Sequence, residues 1–158
     1  MNPTITVCYC FYRILIRIEC VLNCCRELIA SFNKIVTIPA ELGKLRRLRK
    51  ISLNNNRIKA LPPELGSIEG LEELHLGENL IEELPMSLSK LTGLKILKMT
   101  NNRLRTIPFE IANLFTLEEF DCGNNPHLDT VPARWRGDTE SLLFTCRLHR
   151  GIALIFAQ

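Results

Sequence analysis

His75 stands two residues after Glu73 and three before Glu78, a grouping that could hold a metal ion or relay a proton. Either chemistry needs further ligands or a nucleophile nearby. The chain has three histidines in all, and the pattern around His75 brings no second histidine or cysteine to the same face, so a solvated or charge-pairing histidine is the simpler reading. Cys8, Cys10, Cys20 and Cys24 could ligate zinc, or close an N-terminal cap through the Cys8-x-Cys10 pair. Seven cysteines crowded towards one end, with Cys25 beside that group and Cys122 and Cys146 far away, fit buried free thiols more simply than a disulfide framework. Gly43 and Gly66 sit in Leu-Gly-Lys and Leu-Gly-Ser steps inside a repeat, not between a strand and a helix N-terminus, so no phosphate-cradling loop is indicated. No catalytic constellation emerges, and the chain is expected to be neither an enzyme nor a cofactor carrier. The polar residues that remain, Lys50, Glu73, His75, Glu78, Lys98, Glu119 and Asp121, are the residue types of a binding face.

The elements that position them follow from size and pattern. A length of 158 residues with 46% hydrophobic and 23% charged residues suits one globular domain with a packed core. A net charge of +3 is too small for the electrostatic footprint of a nucleic-acid protein. The first basic residue is Arg13, and Arg13, Arg17 and Glu19 interrupt the apolar opening, which argues against an export signal and against a spanning helix through residues 4–22. A cytoplasmic location is expected, with membrane contact at most peripheral. The dense positive run of Lys44, Arg46, Arg47, Arg49 and Lys50 reads as a solvated loop, with anionic lipid or an acidic partner as its functional alternative.

Asn33, Asn56, Asn79, Asn102 and Asn125 are spaced 23 residues apart, and this period organises the chain. Around them run Leu48, Ile51, Leu53, Ile58, Leu61 and Pro62, then Leu71, Leu74, Leu76, Ile81, Leu84 and Pro85, then Leu94, Leu97, Met99, Leu104, Ile107 and Pro108. A fourth copy carries Leu117, Phe120, Cys122, Leu128, Val131 and Pro132, with one extra residue after its asparagine, and a fainter one precedes them through Cys25, Leu28, Ala30, Ile35, Ile38, Leu42 and Leu45. Alternation within each L-x-L marks a strand buried on one face, and the later apolar residues mark a return path. No copy can bury its apolar edge alone, so the copies must stack into a parallel sheet. Each asparagine falls where the chain leaves its strand, where a buried amide can satisfy turn backbone groups; Asn79→Ala is expected to cost about 1–3 kcal/mol.

The motif L-x-x-L-x-L-x-x-N-x-I-x-x-L-P-x-x-L resembles the leucine-rich repeat in its 23-residue Leu-Pro variety. Its returns, such as Pro62-x-Glu64-Leu65-Gly66 and Pro39-x-Glu41-Leu42-Gly43, are similar to those of the intracellular Ras-group proteins and the repeat domains of Scribble and Erbin. That resemblance implies an α/β solenoid: a leucine-rich-repeat horseshoe with short parallel concave strands, irregular or short-helical convex returns, and terminal caps. It also implies a protein partner, such as a small GTPase, a phosphatase or a kinase complex, and neither nucleic acid nor a small-molecule substrate.

The domain reading is an N-terminal cap or decayed repeat over 1–24, repeats over 25–138, and a C-terminal cap with an apolar tail over 139–158. Stepping back 23 residues from the faint copy places a decayed strand around Ile5 and Val7, competing with a helix from Arg13 to Leu28. Trp135 takes the place of Leu88 and Ile111 as a lid on the core, and Asp138 opens a helix; the competing reading is a last strand with Phe144 and Cys146 pointing inward. On the concave face one column runs Glu27, Lys50, Glu73, Ile96, Glu119 and the next Ile29, Ser52, His75, Lys98, Asp121, with Phe32, Asn55, Glu78, Asn101 and Asn124 outside them. Lys50 is expected to pair with Glu73, and Lys98 with Asp121. Five strands of about 17 Å at about 4.8 Å spacing offer about 400 Å², half the usual share of an interface, so this face alone supports modest affinity. The functional expectation is an adaptor in intracellular signalling that binds a protein through this face; the alternative is a regulatory or targeting fragment of a larger signalling kinase, GTPase or ligase.

Overall fold

The computed structural model describes residues 4–6, 25–131, 136–144 and 146. Among the described residues six three-residue strands form one parallel sheet in chain order: β1 (Thr4–Thr6), β2 (Glu27–Ile29), β3 (Lys50–Ser52), β4 (Glu73–His75), β5 (Ile96–Lys98) and β6 (Glu119–Asp121). Every pairing is offset by the repeat period, with Ile51 against Leu74, Leu74 against Leu97 and Leu97 against Phe120. The central residue of each strand from β2 to β6 is buried and its two neighbours are half-exposed. That is the half-buried alternation the L-x-L step prescribes. Ile5 lies opposite Leu28, so the decayed strand is present. The competing helix cannot reach Leu28, because Glu27–Ile29 is committed to the sheet; residues 7–24, where the rest of it would fall, lie outside the described residues.

The returns are 3-10 turns at Ala40–Lys44, Pro63–Ser67, Met86–Lys90 and Phe109–Asn113. Pro39, Pro62, Pro85 and Pro108 precede them with φ between −69° and −63°, the value the pyrrolidine ring imposes, so the proline sets the entry to each turn. Leu42, Leu65, Leu88 and Ile111 then point inward, and the apolar strand centres, the isoleucine or leucine after each asparagine and these residues form one continuous core. The solenoid with short strands and 3-10 returns is the architecture the period implies.

Asn56, Asn79, Asn102 and Asn125 are buried at 0–8% exposure, and each bridges two repeats. The Asn79 amide donates to the carbonyls of Leu53, Leu76 and Gly77 at 3.0–3.1 Å, while its oxygen accepts from the Ile58 N–H at 3.1 Å. Asn56, Asn102 and Asn125 repeat the arrangement on Ala30, Leu76 and Met99 of the preceding copy. The residue just before each asparagine takes a left-handed backbone: Phe32, Asn55, Glu78, Asn101 and Asn124 have φ of 53–58°. Asparagine tolerates this region; phenylalanine does so at a cost.

The C-terminal end is sealed by a residue the repeat pattern does not single out. Met99 N–H bonds to Asp121 O at 2.7 Å, and where the next repeat would supply the equivalent carbonyl, Cys122 N–H bonds instead to Arg136 O at 2.8 Å. The Arg136 guanidinium donates to Asn125 O at 2.7 Å, Val131 O at 3.0 Å and Leu128 O, holding the loop that carries the extra residue. Thr139 accepts the Phe120 N–H at 2.7 Å. Residues 139–144 and 146 are helical, with the Asp138 carbonyl accepting the first intrahelical bond from Leu142. Leu142, Leu143 and Cys146 face the core and Phe144 is 63% exposed, which corrects the strand reading in which Phe144 pointed inward: helical periodicity turns it away from the face its neighbours bury. The Trp135 lid falls outside the described residues. Arg136→Ala removes the donor to the Leu128 and Val131 carbonyls and one of two donors to Asn125 O, which keeps the Leu128 N–H, and is expected to lower stability by about 2–3 kcal/mol, read as an earlier denaturant midpoint at unchanged m.

Candidate functional site

Because the registers are uniform, the side chains flanking each buried leucine stand in two rows across the open face of the sheet. One row holds Glu27, Lys50, Glu73, Ile96 and Glu119, the other Ile29, Ser52, His75, Lys98 and Asp121. Lys50, Glu73, His75, Lys98, Glu119 and Asp121 are brought together here, and Glu78 lies just beyond in the left-handed column.

The charges pair along the sheet. Lys50 Nζ lies 2.6 Å from Glu73 Oε2, and His75 Nε2 reaches the same oxygen at 3.1 Å. The hydrogen bond from Lys50, then that from His75, holds the Glu73 carboxyl below its ordinary value of 4.5. Lys98 bonds to Glu119 at 2.8 Å, not to Asp121 directly opposite, which corrects the expected pair. The short Asp121 carboxylate accepts the N–H of Gly123 two residues on, at 2.9 Å, while the long Lys98 stem reaches the diagonal neighbour. This hydrogen bond to Glu119 raises the Lys98 pKa. Glu78 accepts from the Asn101 amide.

The Glu73 linkage has a definite sign. Its folded pKa is depressed, so the stability it contributes is present above the unfolded value near 4.5 and is lost as pH falls through the folded one. Glu73→Gln is therefore expected to flatten the acid limb of a stability-versus-pH profile below about pH 4.5, with the neutral-pH plateau lower than in the parent, measured by urea denaturation at a series of pH values.

No group of three or more His, Cys, Asp or Glu residues suited to hold a metal occurs among the described residues. Cys25, Cys122 and Cys146 are buried free thiols, and burial pushes Cys122 up to about 12 and Cys146 up to about 11, which removes nucleophilic thiolate at neutral pH. Cys8, Cys10, Cys20 and Cys24 lie outside the described residues. What the open face can do is present fixed, alternating charge to a polypeptide. Hollows elsewhere among the described residues include one of about 700 Å³ between Phe115, Leu117 and the 139–144 helix, and one of about 480 Å³ along Met86, Phe109 and Val131.

Residues 22–131 match the leucine-rich repeat region. The chain belongs to the leucine-rich-repeat family. No curated protein sequence matches significantly. Among solved structures, this leucine-rich-repeat chain is similar to a leucine-rich-repeat protein of Leptospira interrogans, at 35% identity and TM-score 0.59, over 60% of this chain and 24% of that one. It is similar to the ectodomain of the Arabidopsis thaliana membrane receptor kinase GASSHO1/SCHENGEN3, solved with CASPARIAN STRIP INTEGRITY FACTOR 2, at 34% identity and TM-score 0.60, over 64% of this chain and 13% of that one. The plant peptide hormone receptor RGFR1 in complex with RGF2 matches at 25% identity and TM-score 0.62, over 78% of this chain and 19% of that one. The chain thus spans about a quarter or less of the length of these neighbours.

Sequence reasoning missed the residue column two positions before the asparagines: Ser31, Asn54, Gly77, Thr100 and Gly123. Asn54 Oδ1 accepts the Gly77 N–H at 2.8 Å, and Ser31 and Ser52 hydroxyls bond across repeats at 2.9 Å. Their signal was the same 23-residue spacing, masked by the lack of any shared residue type.

Proposed function

We propose that this chain is a non-enzymatic protein-binding module whose open sheet face receives an extended, basic segment of a partner protein. The observation that carries the reading is the pair of side-chain rows fixed by sheet register, in which Lys50 pairs with Glu73 and Lys98 with Glu119, and Asp121 and Glu78 have no cation within ion-pair distance among the described residues. Complementary charge would steer such a partner and set its register more than it would add affinity. The peptide- and protein-bound plant neighbours support a polypeptide ligand. The Leu-Pro returns, similar to the Ras-group and Scribble–Erbin repeats, support a signalling partner such as a small GTPase, phosphatase or kinase complex and a cytoplasmic setting.

Affinity capture from a lysate by the purified chain, with identification of retained proteins by mass spectrometry, tests this. Loss of a retained partner on combining Glu78→Lys with Asp121→Lys is the expected result; capture unchanged by that pair would remove the open face as the binding surface.

A further inference from the structure

After each asparagine the chain continues as a second extended ladder along one flank. Arg57 N–H bonds to Ile35 O, Leu80 to Ile58, Arg103 to Ile81 and Arg105 to Glu82, at 2.8–3.1 Å. Ile35, Ile58, Ile81 and Leu104 point into the core, so the residues on either side of them must face outward. Those residues are Lys34 and Val36, Arg57 and Lys59, Leu80 and Glu82, and Arg103 and Arg105. All five cations are exposed. Lys34, Arg57, Lys59 and Arg103 have no carboxylate within ion-pair distance among the described residues, and Arg105 reaches Glu82 only at 3.4 Å. On the opposite flank Glu72 is shared by Lys95 at 2.8 Å and Arg49 at 3.8 Å, which leaves one net positive charge there. Exposed cations also stand singly beside the returns, at Arg46, Arg47 and Lys90, but on the post-asparagine side they recur in successive repeats and form a row.

Apolar groups share this edge. Val36 is 47% exposed, and Phe32, at the corner where β2 turns into the flank, is 81% exposed with φ of 58°. The corresponding positions hold Asn55, Glu78, Asn101 and Asn124, so a bulky aromatic is here kept both in water and in a disfavoured backbone region. Such an outlier points to a use outside the fold. A soluble acidic partner would need only the cations. A flat ladder of cations edged by an aromatic and an aliphatic side chain matches the headgroup and acyl boundary of a bilayer, where basic groups meet lipid phosphates and aromatic rings are inserted.

We propose that this flank docks on an anionic lipid bilayer, with Lys34, Arg57, Lys59, Arg103 and Arg105 on the headgroups and Phe32 and Val36 inserted between them. The docking is independent of what the open sheet face binds. Co-sedimentation with phosphatidylcholine vesicles, with and without phosphatidylserine, reads it directly. The parent chain is expected to sediment with the phosphatidylserine vesicles alone and to be released by salt. At roughly fivefold per cation, Arg57→Gln with Lys59→Gln should weaken binding roughly thirtyfold, and Arg103→Gln with Arg105→Gln similarly. Phe32→Asn should weaken it roughly tenfold while leaving thermal unfolding no earlier than in the parent. Equal sedimentation with neutral vesicles, or none with either, overturns the proposal. So does undiminished binding by the charge-neutralised variants, whose folding circular dichroism checks. Capture by soluble poly-glutamate, with no vesicle binding, would assign the flank to an acidic protein instead.

Discussion

Asn79→Ala is expected to lower the stability of the chain by about 3 kcal/mol, at the upper end of what one buried amide costs. The substitution leaves the Ile58 N–H without its partner and takes one of two donors from the carbonyls of Leu53 and Leu76, which keep those of Asn56 and Asn102, in a position 5% exposed. Asn79→Asp is the informative companion. A carboxylate can still accept from Ile58 but cannot donate to three carbonyls, so it should destabilise at least as much at neutral pH. Urea denaturation followed by circular dichroism measures both. Variants unfolding within a few tenths of a kcal/mol of the parent would show that the turn carbonyls find water instead.

Gly66→Ala is expected to be nearly as damaging, although it adds a single methyl group. A Cβ on Gly66 would stand 2.1 Å from Ser87 O, and one on Gly43 would stand 2.2 Å from Glu64 O. Both obstacles are backbone atoms of the next repeat, which cannot rotate aside, so the two 3-10 turns must separate and the leucines beneath them lose contact. Overpacking of this kind costs about 1–3 kcal/mol, and the upper figure applies because the clash is with main chain. The column itself supplies a comparison: Ser89 stands in the third turn, and packing loosens between that turn and Phe109–Asn113. Glycine at 43 and 66 therefore sets the tightness of the returns, and with it the curvature of the open face. A thermal unfolding scan of Gly66→Ala beside Ser89→Ala checks this, with the serine variant expected to stay within about 0.5 kcal/mol of the parent.

The open-face side chains named from sequence do lie in two rows, because strand alternation and a constant period leave them no other place. Their partners were only half legible. Lys50–Glu73 follows from adjacency, whereas the choice of Glu119 over Asp121 by Lys98 depends on side-chain length and on a competing backbone N–H within the Asp121 turn. The sealing role of Arg136 was illegible for a similar reason: its carbonyl and guanidinium act on groups 5 to 14 residues away that come together only after the last repeat has been laid down. The helix after Asp138 and the strand alternative share the same apolar residues, and only packing against β6 separates them.

The amino-acid order alone determined the period, the strand positions, the inward leucines and the asparagine ladder, since a repeated short-range pattern has one efficient way to bury its edge by stacking. The folded chain decided what no repeat contains within itself: which charges meet across strands, how the ends are closed, and where unpaired cations and an exposed phenylalanine gather on one flank. Those outcomes depend on contacts between repeats, or between the last repeat and the segment that follows it, and side-chain reach across such contacts is a property of the assembled solenoid, not of any single copy.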